Sequence, residues 1–240
     1  MDSLDGRVIL VTGSAKRIGR GIALRLAQSG ARVAIHYSGS ADAARATAAE
    51  CGNAPTFQAN LEHVSEIERL FAEVEQHFGR IDGLVNNAAL LVGRKPFQEI
   101  AIDEWDRMMA VNVRGTFLCA REASKHMPDG GSIVNVASTT AFNGSQGFLH
   151  YVASKGAVVS MTKTLAFELG PKQIRVNCVG PGFTPTEGSA VLGAYDPTAT
   201  PLGRVMEPDD LLGTYCYLLG DDSKFVSAQT ILVNGGRFPH

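Results

Sequence analysis

Short apolar runs alternate with amphipathic stretches from one end of this chain to the other. Val8-Ile9-Leu10-Val11 is a continuous apolar run, the pattern of a strand buried on both faces. Behind it Ile18, Ile22 and Leu26 recur at helical spacing until Ser29-Gly30 ends the pattern. Further strands are predicted over 32–36, 56–59, 83–86, 132–136, 175–179 and 230–233. Helices are predicted over 41–50, 64–78, 104–127 with Asp103 as its cap, from Tyr151 to about Leu169, and from about Pro208 to Leu219. Strands separated by helical segments of this length imply an α/β fold, a doubly wound parallel sheet of about seven strands with helices on both faces. No linker, repeat or low-complexity stretch divides residues 1–240, which read as a single domain.

Composition narrows the function classes. The net charge is −2 and there is no basic run, so nucleic acid is not an expected partner. Met1-Asp2-Ser3-Leu4-Asp5-Gly6 lacks the basic segment and apolar core of a signal peptide, and no apolar stretch approaches the ~18 residues of a membrane span. A cytoplasmic protein without membrane contact is expected. Cys51, Cys119, Cys178 and Cys216 lie far apart with no Cys-x-x-Cys, and the histidines are scattered, so no structural metal is expected.

Two stretches carry chemistry. Thr12-Gly13-Ser14-Ala15-Lys16-Arg17-Ile18-Gly19-Arg20-Gly21 joins the first strand to the first helix. Glycines there let the backbone approach a pyrophosphate, whose charge suits the helix N-terminus. The second strand runs into Tyr37-Ser38-Gly39-Ser40, where a carboxylate would select a free ribose 2′-hydroxyl, and none is present. Hydroxyls at Tyr37, Ser38 and Ser40, with Lys16 and Arg17 across the turn, suit a 2′-phosphate and favour NADP(H) over NAD(H). The second stretch is Tyr151-Val152-Ala153-Ser154-Lys155. At a helix start, Tyr151 and Lys155 emerge from one face, and an adjacent ammonium shifts a phenol toward phenolate. Such a tyrosine exchanges protons with a substrate oxygen near neutral pH.

Five signatures in order resemble the short-chain dehydrogenase/reductase family over essentially the whole chain. They are Thr12-Gly13-x-x-x-Arg17-Ile18-Gly19, Asn86-Asn87-Ala88-Ala89, Asn112, Ser138 ahead of Tyr151-x-x-x-Lys155, and Pro181-Gly182-x-Thr184-x-Thr186. The resemblance implies a Rossmann-type fold and hydride transfer between nicotinamide and a carbonyl or secondary alcohol. It gives Tyr151 the role of proton donor and acceptor, and Ser138 that of holding the carbonyl. Lys155 binds the nicotinamide ribose and lowers the Tyr151 pKa, while Asn112 holds a water that links Lys155 to solvent. It also places Gly13, Ser14, Arg17, Ile18 and Gly19 at the pyrophosphate, Asn60 and Leu61 at the adenine, and Asn86 and Ala88 beside the adenosine ribose. Pro181, Gly182, Thr184 and Thr186 face the nicotinamide amide. Three positions depart from the family pattern: Arg17 replaces a glycine, Asn60 an aspartate and Ala89 a glycine.

Substrate is expected under the segment between Thr186 and Pro208, with Leu192, Tyr195 and Leu202 as apolar contacts and Glu187 the only acid before Asp196. Thr200-Pro201-Leu202-Gly203-Arg204 and the ending Gln229 to Gly236 are similar to the 3-oxoacyl-[acyl-carrier-protein] reductase branch. By that likeness Lys125 and Lys172 lie at helix ends that meet an acidic acyl carrier protein, although the helix dipole favours lysines there equally. Two alternatives stay open. One is a reductase or dehydrogenase of a sugar, polyol, steroid, quinone or pterin, the pterin version weakened because pteridine reductases carry an aspartate where this chain has Ser138. The other is a nucleotide-sensing binding protein, which has no chemical use for Asn112, Ser138, Tyr151 and Lys155 together. Relatives are mostly tetramers, so a homotetramer is expected. The apolar Met109-Ala110-Val111, Phe117-Leu118 and Val158-Val159 are compatible with that assembly and equally with core packing.

Overall fold

A computed structural model describes residues 4–187 and 200–239. In chain order the elements are β1 (Val8–Val11), α1 (Arg17–Gln28), β2 (Arg32–Tyr37), α2 (Ala41–Glu50), β3 (Thr56–Gln58), α3 (Val64–Phe78) and β4 (Gly83–Asn86). Then come α4 (Ile102–Met109), a π-helical segment (Ala110–Gly115), α5 (Thr116–His126), β5 (Ser132–Val136), α6 (Thr140–Asn143), α7 (Leu149–Leu169), β6 (Arg175–Pro181), α8 (Asp209–Leu219) and β7 (Thr230–Val233). The strands form one parallel sheet in the order β3-β2-β1-β4-β5-β6-β7.

Every residue of β1, β4, β5 and β6 is buried, as expected when helices cover both faces; β1 is apolar throughout, whereas Asn86, Ser132, Asn135, Arg175 and Asn177 are buried polar residues of the other three. Alternate side chains serve opposite layers. Ile9 and Val11 pack with Ile22 and Leu26 of α1 and with Leu211, Tyr215 and Leu218 of α8. Leu10 packs on the other side with Ile67, Leu70 and Phe71 of α3 and with Leu118 and Cys119 of α5. From β1 the chain winds outward through β2 and β3, then crosses back to lay β4 on the other side of β1. That reversal opens a crevice beyond the carboxyl ends of β1 and β4, the place where open α/β sheets bind ligands.

The helix predicted from Glu104 to Met127 is not regular. It begins at Ile102 after Ala101, so Asp103 lies in the first turn, where its carboxylate accepts the Glu104 N–H at 2.9 Å. Its middle widens into a π-turn around Asn112. Side-chain contacts outside and within the helix hold this turn. The Asn112 amide donates to the Leu90 carbonyl at 3.0 Å and accepts the Leu90 N–H at 2.7 Å, fixing this turn to the loop after β4. The Thr116 hydroxyl donates to the Asn112 carbonyl at 2.8 Å. Such bulges recur at functional sites, and periodicity cannot reveal one. No helix among the described residues is long and apolar enough to cross a membrane.

Candidate active site

A cavity of about 800 Å³ fills the crevice and runs from the glycine turn to the N-terminal end of α7. Its first half is built on the loop between β1 and α1. Two residues there take left-handed conformations, Gly13 at φ +65° and Arg17 at φ +55°. Close approach forbids side chains: a Cβ on Gly19 would lie 2.3 Å from the Gly13 carbonyl oxygen, and one on Gly13 would lie 2.9 Å from the Ala88 Cα. No side chain caps the start of α1, so its first-turn N–H groups have no side-chain acceptor. Lys16, Arg17, Ile18 and Gly19 line this end, faced by Tyr37, Ser38 and Ser40 from the end of β2 and by Asn60, Leu61 and Ala88.

Two residues expected at the cofactor turn inward instead. The Ser14 hydroxyl donates to the Val11 carbonyl at 2.8 Å and accepts the His36 N–H at 3.0 Å. Asn86 donates to Asn135 Oδ1 at 2.9 Å, joining β4 to β5. Neither lines the cavity, so their side chains shape its walls. Asn60 accepts the Glu62 N–H at 3.0 Å, which bends the chain after β3.

The turn is held by three side chains that sequence reasoning gave no role. Thr12 Oγ1 accepts the N–H groups of Asn87 and Ala88, each at 3.0 Å. The Asn87 amide donates to the carbonyls of Thr12 and Gly13 at 2.9 and 3.1 Å. His36, buried at the end of β2, accepts the Gly13 N–H on Nδ1 at 2.9 Å, and its Nε2 lies 3.0 Å from the Ala59 carbonyl. Thr12 and Asn87 stood inside quoted motifs, whereas His36 read only as the last residue of a strand.

The second half of the cavity gathers Ser138, Tyr151 and Lys155 with Pro181, Gly182, Thr184 and Thr186 from the end of β6. Ser138, two residues beyond β5, accepts the Thr140 N–H at 3.2 Å and the Thr140 hydroxyl at 2.9 Å, which leaves its own proton for another partner. The Tyr151 phenol lines the same cavity, near enough for the Ser138 hydroxyl to pull its pKa down. Desolvation pushes the Tyr151 pKa up to about 12, against the opposing pull of the Ser138 hydroxyl. Lys155 is 3% exposed and donates to the Val136 carbonyl at 2.6 Å, while its burial lowers its pKa to about 8. The expectation that Lys155 depresses the Tyr151 pKa is therefore corrected. Burial moves the phenol upward against the Ser138 hydroxyl, and the Lys155 ammonium is aimed at the Val136 carbonyl.

Asn112 stands behind these groups and outside the cavity. Its amide donates to Ser154 Oγ at 3.0 Å, and that hydroxyl donates to the Tyr151 carbonyl at 2.7 Å. The π-turn and the first turn of α7 are thereby locked together.

Phe148, Phe183 and Phe238 add aromatic surface beside Tyr151 and Ser138, the Phe148 ring centre standing 6.2 Å from that of Tyr151. Of the residues expected over the substrate, Leu192 and Tyr195 lie outside the described residues, and Leu202 and Glu187 are exposed and do not line the cavity. Lys125 pairs with the nearly buried Glu122 at 2.5 Å, and Lys172 donates to the Ser124 carbonyl at 3.5 Å. Both lysines thus have partners within the fold. Leu118, Val158 and Val159 are core residues, whereas Phe117 is exposed.

Residues 13–237 match the family model described as enoyl-(acyl carrier protein) reductase. An uncharacterised oxidoreductase of Methylorubrum extorquens is 37% identical over 98% of this chain and 99% of its own. The chain is a short-chain dehydrogenase/reductase. A 3-oxoacyl-[acyl-carrier-protein] reductase of Staphylococcus aureus is 35% identical over 95% of this chain and 97% of its own. Among solved structures, landomycin C-6 ketoreductase with bound NADP and rabelomycin superposes with a TM-score of 0.90. It is 33% identical and the match covers 98% of this chain and 97% of that one. This short-chain dehydrogenase/reductase is accordingly an oxidoreductase, with the doubly wound parallel sheet of its relatives.

Proposed function

We propose that the enzyme reduces a carbonyl compound with NADPH, and that 3-oxoacyl thioesters are its substrate class, delivered on an acyl carrier protein. The observation that carries the reading is the meeting of the Ser138 and Tyr151 hydroxyls in the same cavity as a cationic glycine turn. A dinucleotide fits the residues present: uncapped N–H groups of α1 and the closely packed Gly13 and Gly19 suit a pyrophosphate. Lys16, Arg17, Tyr37, Ser38 and Ser40 suit a 2′-phosphate. Lys155 holds the nicotinamide ribose, and Pro181, Gly182, Thr184 and Thr186 the nicotinamide amide.

The bound nicotinamide supplies a hydride to the carbonyl carbon. Ser138 donates to the carbonyl oxygen, on which negative charge grows. Tyr151, protonated at neutral pH because burial raises its pKa, gives its proton to that oxygen. Thr140 keeps the Ser138 lone pairs occupied, and Asn112 fixes α7 through Ser154.

The thioester assignment is supported by the Staphylococcus aureus relative and by the ending from Gln229 to Gly236. A second reading, reduction of a quinone or other cyclic ketone, is favoured by the aromatic walls Phe148, Phe183 and Phe238. A cytoplasmic homotetramer fits the family, and the exposed Ile102, Phe117, Leu149 and Phe167 on α4, α5 and α7 support an assembly through those helices. The decisive assay follows NADPH oxidation with acetoacetyl thioesters, aldoses, diketones and quinones. Turnover of thioesters above the rest supports the first assignment, turnover of quinones alone moves it to the second, and no turnover with any carbonyl overturns the reading.

A further inference from the structure

The His36 side chain ties the phosphate turn to the segment that leads into Asn60 and Leu61. His36 is the next-to-last residue of β2, between the loop after β1 and the residue after β3, and is 1% exposed. Its Nδ1 accepts the Gly13 N–H at 2.9 Å, and its Nε2 lies 3.0 Å from the Ala59 carbonyl. These partners fix the tautomer: a carbonyl needs a donor, so Nε2 carries the proton, and an N–H needs an acceptor, so Nδ1 is bare. Ala59 immediately precedes Asn60 and Leu61, which line the adenosine end of the cavity. The His36 backbone joins the same knot, since its carbonyl accepts the Ser14 N–H at 2.9 Å and its N–H donates to Ser14 Oγ.

We propose that neutral His36 is a positioning residue for the cofactor, whose Nδ1 sets the orientation of the Gly13 peptide and with it the phosphate turn. Gly13 needs such a restraint. At φ +65° glycine has no steric preference for the native conformation over several others, so a partner must choose it. The neighbouring Arg17 sits at φ +55°, a conformation that costs an L-residue energy, so the turn relaxes if its first residue is released. The Asn87 amide secures the carbonyl of Gly13, whereas its N–H is held by His36. The burden of the proposal therefore falls on Nδ1, and the Nε2 contact steadies the ring.

The proposal rests on the nucleotide-binding reading, and a pair of substitutions separates the two. In His36→Asn the side-chain oxygen takes the place of Nδ1 and keeps the Gly13 bond while losing Ala59. In His36→Gln the terminal amide takes the place of Nε2, keeping Ala59 and losing Gly13. Both remove the ring, so a purely structural role treats them alike. Steady-state kinetics on the carbonyl substrate found active, with NADPH binding followed by fluorescence, should show His36→Asn within about threefold of the parent in KM for NADPH. His36→Gln should show a rise of about tenfold, as expected for an unpaired buried N–H, with the loss in KM and not in kcat. Equal KM values in the two variants overturn the proposal. Failure of the parent protein to bind any nicotinamide nucleotide overturns the nucleotide reading itself. Should His36→Gln not fold, nitrogen chemical shifts of the unmodified protein at neutral pH decide: an Nε2–H tautomer with bare Nδ1 is expected, and a protonated Nδ1 contradicts the role.

Discussion

The Lys155 ammonium stands 5.8 Å from the centre of the Tyr151 ring and donates its hydrogen bond to the Val136 carbonyl. In this arrangement the lysine does not turn the tyrosine into a phenolate. Tyr151 instead keeps its proton, with a pKa pushed up to about 12 by burial. A protonated phenol is ready to give a proton to a nascent alkoxide, which suits reduction. Oxidation of an alcohol needs the phenolate, whose fraction rises about tenfold per pH unit well below the pKa. Reduction is therefore expected to vary less than about twofold between pH 6 and 8, while alcohol oxidation climbs steadily. Rate profiles measured in both directions check this, and an oxidation rate flat with pH would place the base elsewhere.

Arg17 combines strain with charge. Its left-handed backbone at φ +55° costs roughly 1 kcal/mol, and the residue lines the cavity end assigned to the 2′-phosphate. Arg17→Gly should raise thermal stability slightly while lowering kcat/KM for NADPH by about tenfold or more, leaving NADH nearly unchanged. The parent enzyme should prefer NADPH to NADH, and equal kcat/KM values for the two would remove the 2′-phosphate assignment.

Asn112 holds both the N–H and the carbonyl of Leu90 and also reaches Ser154. Asn112→Ala strips partners from the part-buried Leu90 N–H and carbonyl, each worth up to about 1–3 kcal/mol. A stability loss of about 2–4 kcal/mol in chemical denaturation is expected, with kcat reduced more than KM because the first turn of α7 loses its restraint. Unchanged stability would show that the π-turn stands without this side chain.

Acid should loosen the fold through His36. Its pKa falls from 6.5 to about 4 because burial disfavours the charged ring. The unfolded chain takes up this proton near 6.5 and the folded chain does not until about 4, so between those values the unfolded state binds more protons. Stability contributed by the neutral ring is complete above pH 6.5 and is lost as the pH falls, by about 3 kcal/mol in all. Denaturation midpoints measured across this interval should fall with pH in the parent and fall less in His36→Asn.

Much of this was legible in the sequence because the decisive signals are local. An apolar run such as Val8 to Val11 is a strand buried on both faces, and the spacing of Tyr151 and Lys155 puts both on one side of α7. What sequence missed depends on partners remote in the chain. Ser14 and Asn86 sit within recognisable motifs, yet His36 and Asn135 draw their side chains away from the cavity. The π-turn at Asn112 arises from contact with Leu90, which no helical periodicity encodes. Lys155 offered a charge beside a phenol, but desolvation raises the Tyr151 pKa, and burial is a property of the folded chain. The short α6 and the turn at 97–99 are too brief for any period to show.

The central claim is that Tyr151 delivers the proton while the nucleotide is bound elsewhere in the same cavity, and Tyr151→Phe tests it most directly. The substitution removes one oxygen, so NADPH binding measured by fluorescence should stay within about threefold of the parent. Carbonyl-dependent NADPH oxidation should fall by at least about a hundredfold, the ordinary worth of a positioned general acid. Retention of parental turnover by the phenylalanine variant would contradict the account.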